Sequence, residues 1–160
     1  MAVPGFETIA ANLLTLLNGV TTGNGYNQTI SIWRSKRADF MDVFDRTPVN
    51  GNGMLYMTEM ERLMDYDSDD GPEYLTAKWK LHFALEIYVM ESDLATAVDT
   101  LINQVVGDVY KQIMTDPDLS GAAIDTEVTG VTRVSAGANF SGPVIEIESL
   151  ARHLIADPYT

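Results

Sequence analysis

The sequence predicts an α+β fold with a central, largely antiparallel sheet that includes one long strand. Two main helices are expected to pack on one face of this sheet. Apolar and polar residues alternate along residues 75–90, which is typical of a strand. Apolar residues recur at helical spacing along residues 6–17 and 92–114. A chain of 160 residues that is 46% hydrophobic is expected to form a single domain with a proper core.

The alternating segment is the most informative part of the chain. Its odd positions from Leu75 to Val89 are apolar, and its even positions are mostly polar until late in the segment. A strand rises roughly 3.3 Å per residue, so this one would span about 50 Å, whereas strands of five or six residues are usual. A compact monomer has little use for such a strand. An assembly that lays sheets side by side uses it, which indicates an interaction protein.

The first third of the chain predicts a helix, a strand and a long connection. Asn18 and Gly19 end the helix of residues 6–17, because glycine accepts the left-handed conformation. A turn-rich stretch at residues 21–27 leads into a strand at residues 27–34. Residues 35–52 are expected to be a loop with a short helical turn at 39–44. Residues 53–63 predict a second strand, and a helix over 58–64 competes with it.

The remaining elements follow the long strand. Ser92 is expected to cap the second helix, with Asp93 in its first turn and Lys111 in its last, and Asp116-Pro117 ends it. Residues 124–134 and 144–155 predict two more strands, joined by a glycine-containing hairpin loop at residues 135–143.

Composition excludes several classes of function. The chain has 23 acidic and 10 basic residues, a net charge of −13, and such a surface repels the phosphate backbone of nucleic acids. It has no cysteine, which excludes disulfides, thiolate catalysis and thiolate metal sites. No run of eighteen apolar residues occurs, so no membrane span is expected. The first residues lack the basic region of a signal peptide, so no signal peptide is expected either.

The acidic segment of residues 65–73 superficially resembles a calcium loop. The EF-hand pattern needs glycine at loop position six and glutamate at position twelve, where this chain has Asp70 and Thr76. The segment is therefore interpreted as a solvated loop, with a weak exposed cation site as the alternative.

No catalytic constellation is visible in the sequence. The two histidines, His82 and His153, are far apart and have no further ligands at metal-site spacing. Glu146 and Glu148 are paired carboxylates, but their apolar neighbours indicate the solvated side of an alternating strand. We therefore expect no enzyme activity, no cofactor and no metal.

The order of several segments resembles a known family. The segments are the opening helix that ends in LLNGV, GYNQTISIW at residues 25–33, TAKWKLHFALEIYV leading into a helix, DPDL at 116–119, DTEVTGVTRV at 125–134 and ADPY at 156–159. In this order and spacing, the chain resembles the tail terminator, or tail completion, proteins of long-tailed bacteriophages. The resemblance covers nearly the whole chain, and residues 35–72 look like a long loop insertion relative to smaller members of the family.

The resemblance implies a structural protein of the virion tail or neck that is assembled in the host cytoplasm. Such proteins form a ring, commonly a homo-hexamer, on the last ring of the tail tube protein. They stop tube polymerisation and present a surface to the head connector or stopper protein, and in contractile tails they also contact the sheath protein. DNA would pass through the acidic channel without specific binding. Another neck or connector adaptor, or a tail tube protein, is the alternative.

The resemblance also leads to expectations about geometry. The long strand and residues 144–155 should build the centre of the sheet, and ring closure should pair edge strands. The candidate interface residues are basic or lie on the polar side of the long strand. They are Arg34, Lys36, Arg37, Lys78, Lys80 and His82.

Overall fold

A computed structural model describes residues 5–34, 51–63, 76–89, 98–135 and 141–154. The elements are α1 (Gly5–Leu17), β1 (Ile30–Arg34), β2 (Gly51–Leu63), β3 (Thr76–Tyr88), α2 (Val98–Ile113), β4 (Asp125–Ser135) and β5 (Ser141–Leu154). The strands form one sheet in the order β1-β2-β3-β5-β4. β1 runs parallel to β2, and the other neighbouring strands are antiparallel. The predicted α+β class with a largely antiparallel sheet is confirmed.

The long strand lies at the centre of the sheet, as predicted. β3 pairs with β2 on one side and with β5 on the other. Both predicted helices are present within the described residues, and neither is long and apolar enough to span a membrane. The predicted helical turn at 39–44, the acidic loop at 65–73 and the helix cap at Ser92 lie outside the described residues.

The strand predicted at residues 53–63 is confirmed over its competing helix, whereas the strand predicted at 27–34 begins only at Ile30, and two loop boundaries were wrong. The helix that competed with β2 does not form over residues 58–63, because this part of β2 pairs with β3, for example Glu59 with His82. Gly51 and Asn52 belong to β2 rather than to the preceding loop, because they pair with β1. Pro143 lies inside β5, opposite Arg133 of the outermost strand.

One hydrophobic core lies between the helices and a single face of the sheet. The alternating side chains of β3 supply Leu81, Phe83, Leu85 and Ile87, each at most 2% exposed. They join one cluster with buried residues of α1, α2 and β5, which are Ile9, Ala10, Leu13, Leu17, Ile102, Val105, Val109, Ile113, Ile145, Ile147 and Ala151. Because both helices contribute to this cluster, they pack on the same face of the sheet, as predicted.

Asp108 is a buried carboxylate on the otherwise apolar face of α2. It is 3% exposed, and it accepts hydrogen bonds from the backbone N–H of Gln28, at 2.9 Å, and from the side-chain amide of Asn27, at 2.8 Å. Buried polar groups are tolerated when they are hydrogen-bonded in this way. Asp108 therefore fixes the segment that enters β1 against α2.

Gly142 is required by close contact between strands. A Cβ atom added at this position would overlap the carbonyl oxygen of Ile87, at the end of β3. Gly107, inside α2, has nothing within 4 Å of the corresponding position.

We therefore expect Gly142→Ala to lower the free energy of unfolding by about 3 kcal/mol, since the strands must separate to admit the methyl group. Gly107→Ala is the matched control and should raise it by about 0.5–1 kcal/mol, because alanine favours the helix. Urea denaturation of both variants measures the difference. Equal stability of the two variants would contradict the close contact at Gly142.

Candidate functional site

The second face of the sheet carries the polar half of the alternation. We call this surface the open face, because both helices that the structure describes lie on the other side. It consists of the even-numbered residues of β3 from Lys78 to Tyr88 and the residues in register with them. They are Asn52, Met54, Tyr56, Glu59, Glu61, Leu63, Lys78, Lys80, His82, Ala84, Glu86, Tyr88, Asp125, Glu127, Gly130, Thr132, Val144, Glu146, Glu148, Leu150 and Arg152.

One ion pair and two contacts between a histidine and a carboxylate connect the strands at the centre of the open face. Glu148 lies directly opposite His82, and one of its oxygens is 3.4 Å from Nδ1 of the ring. Its other oxygen is 3.0 Å from Nζ of Lys80, two residues along β3. On the other side, Nε2 of His82 is 3.9 Å from a carboxylate oxygen of Glu61 on β2. The hydrogen bond to Glu148 raises the pKa of Lys80, so this lysine stays positively charged.

A shallow hollow lies beside these contacts, between two β-bulges. The register of β2 shifts at Thr58 and that of β4 shifts at Thr129. The Thr58 hydroxyl donates to the carbonyl of His82 at 3.2 Å, and the Thr129 hydroxyl donates to the carbonyl of Glu146 at 3.5 Å. The hollow has a volume of about 300 Å³, and the small side chain of Ala84 lines it. Bulges bend strands, and the hollow lies between strands that each carry one.

Two tyrosines share one carboxylate farther along the open face. The hydroxyls of Tyr56 and Tyr88 both donate to Glu86, the second at 2.8 Å. The hydrogen bond to Glu86, together with burial, raises the pKa of Tyr56 to about 12. Burial, followed by the same carboxylate, also raises the pKa of Tyr88. Both phenols therefore remain neutral donors at neutral pH, and they fix the Glu86 side chain on the surface.

The candidate interface residues are divided between the two faces. Lys78, Lys80 and His82 lie together on the open face. Arg34 lies on the side of the helices, where its guanidinium forms an ion pair with Glu7 of α1, and so it does not join them. Lys36 and Arg37 lie outside the described residues.

The partners of these residues were missed by the sequence analysis. Glu148 was interpreted only as the solvated side of a strand, yet both Lys80 and His82 lie beside it. Glu61 belongs to the segment for which helix and strand competed. Alternation in β2 and β5 indicates which of their residues share a face. Only the register with β3 shows that Glu61 and Glu148 lie beside Lys80 and His82.

The chemistry of the open face is that of charge pairing and hydrogen bonding. Within the described ranges, no group of three or more histidine, aspartate or glutamate side chains is arranged to hold a metal ion. The hydroxyls of Thr58 and Thr129 are bonded to backbone carbonyls rather than to a neighbouring base. Protein-family models give no match to this chain, and curated proteins give none either.

The shared carboxylate leads to a prediction about alkaline pH. Because the pKa of Tyr56 is raised in the folded state, this group adds to the free energy of unfolding. The contribution is fully present below about pH 10, the ordinary pKa of tyrosine. This stability is lost as the pH rises from there to about 12. Glu86→Gln removes the carboxylate, so the fall in unfolding free energy between pH 9 and pH 11 should be smaller than in the unsubstituted chain.

Glu127→Gln is the control, because it removes an exposed carboxylate of the same face for which no hydrogen bond to a tyrosine is described. Denaturant titrations across this pH range, with tyrosinate absorbance at 295 nm, make the measurement. Identical alkaline profiles for Glu86→Gln and Glu127→Gln would refute the role of Glu86.

Proposed function

We propose that this protein is a tail terminator of a long-tailed bacteriophage, a subunit of the ring that ends the tail tube and joins it to the head. The observation that carries the proposal is the open face itself. It is a charged surface of long strands on a sheet whose other face holds the core. A sheet covered on one side offers a broad, rigid surface for another protein.

The strand lengths support an assembly function. β2 and β3 have 13 residues each and β5 has 14, more than twice the usual length. A core of the size described here does not require strands of this length. A subunit that must contact neighbours in a ring as well as a tube below and a connector above gains surface from them.

The chemistry of polymer termination also agrees with two unlike faces. Tube growth is a head-to-tail contact that continues until a subunit matches the tube on one side only. The described helices and the open face present different surfaces, so one of them can bind the tube while the other does not bind a further tube subunit. Side chains such as those of Lys80 and Glu148 provide directional charge pairing for such a contact.

The charge of the open face suits a surface near DNA. Carboxylates outnumber basic side chains on it, with Glu59, Glu127 and Glu146 among the exposed ones. A surface of this sign repels the phosphate backbone and lets DNA pass without adhering. The proposal therefore places the exposed carboxylates that the tube leaves uncovered on the channel side of the ring.

Electron microscopy of the purified protein, alone and mixed with tail tubes, tests the proposal. We expect rings that cap tube ends and halt tube growth. Long tubes formed by the protein alone would instead identify a tube subunit. Binding to the head connector without any binding to tubes would identify a neck adaptor. Each of these two outcomes overturns the terminator proposal.

A charge reversal refines the same experiment. Lys80→Glu places a carboxylate beside Glu148 and should weaken tube capping about tenfold, which corresponds to about 1.4 kcal/mol. Lys111→Glu makes the same change of charge on α2, where Lys111 lies 4.6 Å from the ring centre of Tyr26, and should leave capping unchanged. Thermal melts verify that both variants are folded. Equal capping by the two variants would exclude the open face from the tube contact.

A further inference from the structure

The edges of the sheet differ in how their backbone N–H and C=O groups are hydrogen-bonded. On the β1 side, the Asn18 side chain bonds both backbone groups of Ile32. Its Oδ1 accepts the N–H at 2.9 Å, and its Nδ2 donates to the C=O at 3.0 Å. The N–H of Ile30 donates to the carbonyl of Val20 at 3.1 Å. An edge whose donors and acceptors are bonded in this way does not accept another strand.

Two other stretches of edge have no such cap among the described residues. β1 covers β2 only as far as Leu55, so residues 56–63 of β2 have no described strand on that side. Among the described strands, β4 pairs only with β5 and is the last of the sheet. Each stretch carries an exposed large apolar side chain, Met60 on β2 and Val131 on β4, and both are 47% exposed.

The strand directions make these two stretches complementary. β2, β3, β5 and β4 alternate in direction across the sheet, so β2 and β4 run in opposite directions. Copies related by the rotation axis of a ring have the same orientation. β4 of one copy placed beside β2 of the next copy would therefore pair antiparallel, and the alternation would continue from subunit to subunit.

At one particular register, the side chains of the two stretches are also compatible with pairing between copies. Met60 pairs with Leu81 and Val131 pairs with Ile145, so both exposed side chains lie on the helix side of the sheet. If Val131 lies opposite Met60 of the next copy, Thr132 and Gly130 lie opposite its Glu59 and Glu61. No like charges then face each other in these three pairs, and two exposed apolar side chains are covered.

We infer that residues 56–63 of β2 are the binding site for β4 of a second copy of this chain, with Val131 opposite Met60. The inference rests on the proposed function, because it names the contact that closes the ring. The contact is heterologous, and β1, which pairs with β2 only as far as Leu55, takes no part in it. The bulges and the charges of Glu59 and Glu61 disfavour other registers.

Cysteine cross-linking tests this contact directly, because the chain has no cysteine of its own. Met60→Cys and Val131→Cys variants are prepared separately, mixed, and oxidised alone and with tail tubes. Antiparallel partners lie within disulfide reach. Within one copy, β2 and β4 are three strand spacings apart, about 14 Å, so every cross-link is between copies. We expect a cross-linked dimer in the mixture, and a ladder ending in a closed ring from the doubly substituted chain.

A matched pair controls for random collision. Met114→Cys, just after α2 and 45% exposed in the parent chain, is mixed with Val131→Cys and should cross-link at least tenfold less. Circular dichroism verifies that all variants are folded. Equal yields from the two mixtures, or a dominant link between two Val131→Cys chains, would overturn the inference.

The failures of the two proposals are distinguishable. Cross-linked rings that ignore tail tubes would overturn the terminator function and support the strand contact. Rings that cap tubes without a link between positions 60 and 131 would overturn the strand contact and support the function.

Discussion

The pairing of β3 with β5 is the constraint on which the rest of the structure depends. Their antiparallel register places Phe83 opposite Ile147 on one face and His82 opposite Glu148 on the other. Because side chains alternate with a period of two, a slip of one residue would bring the charged residues into the core. The burial of residues such as Leu81 and Ile145 under the helices therefore fixes the position of the ion pairs on the open face as well.

The helices make the two faces of the sheet unlike each other. α1 and α2 supply one side of the core, and Asp108 secures the segment that enters β1. The α1–β1 connection also supplies Asn18, whose side chain takes the place of a neighbouring strand along the edge of β1. Helix packing thus decides both which face is open and which edge is closed. The proposed assembly uses the open face, residues 56–63 of β2, and β4.

The candidate site was only partly predictable, for a definite reason. Lys78, Lys80 and His82 could be assigned to one face because the alternation of β3 is a local property of the chain. Glu148 could not be assigned as their partner, because it is distant in sequence and its position depends on the register between β3 and β5. Arg34 was grouped with the other basic residues by its charge, yet its partner is Glu7 on the side of the helices.

The sequence by itself determined the α+β class, the long alternating strand and the two amphipathic helices. These follow from local periodicity and from turn residues such as Asn18-Gly19 and Asp116-Pro117, which act on nearby residues only. Tertiary structure decided the strand order, the parallel pairing of β1 with β2, the two bulges and the capped edge. Each of these depends on which distant segments meet, and the free energy of those contacts is not expressed in any local pattern.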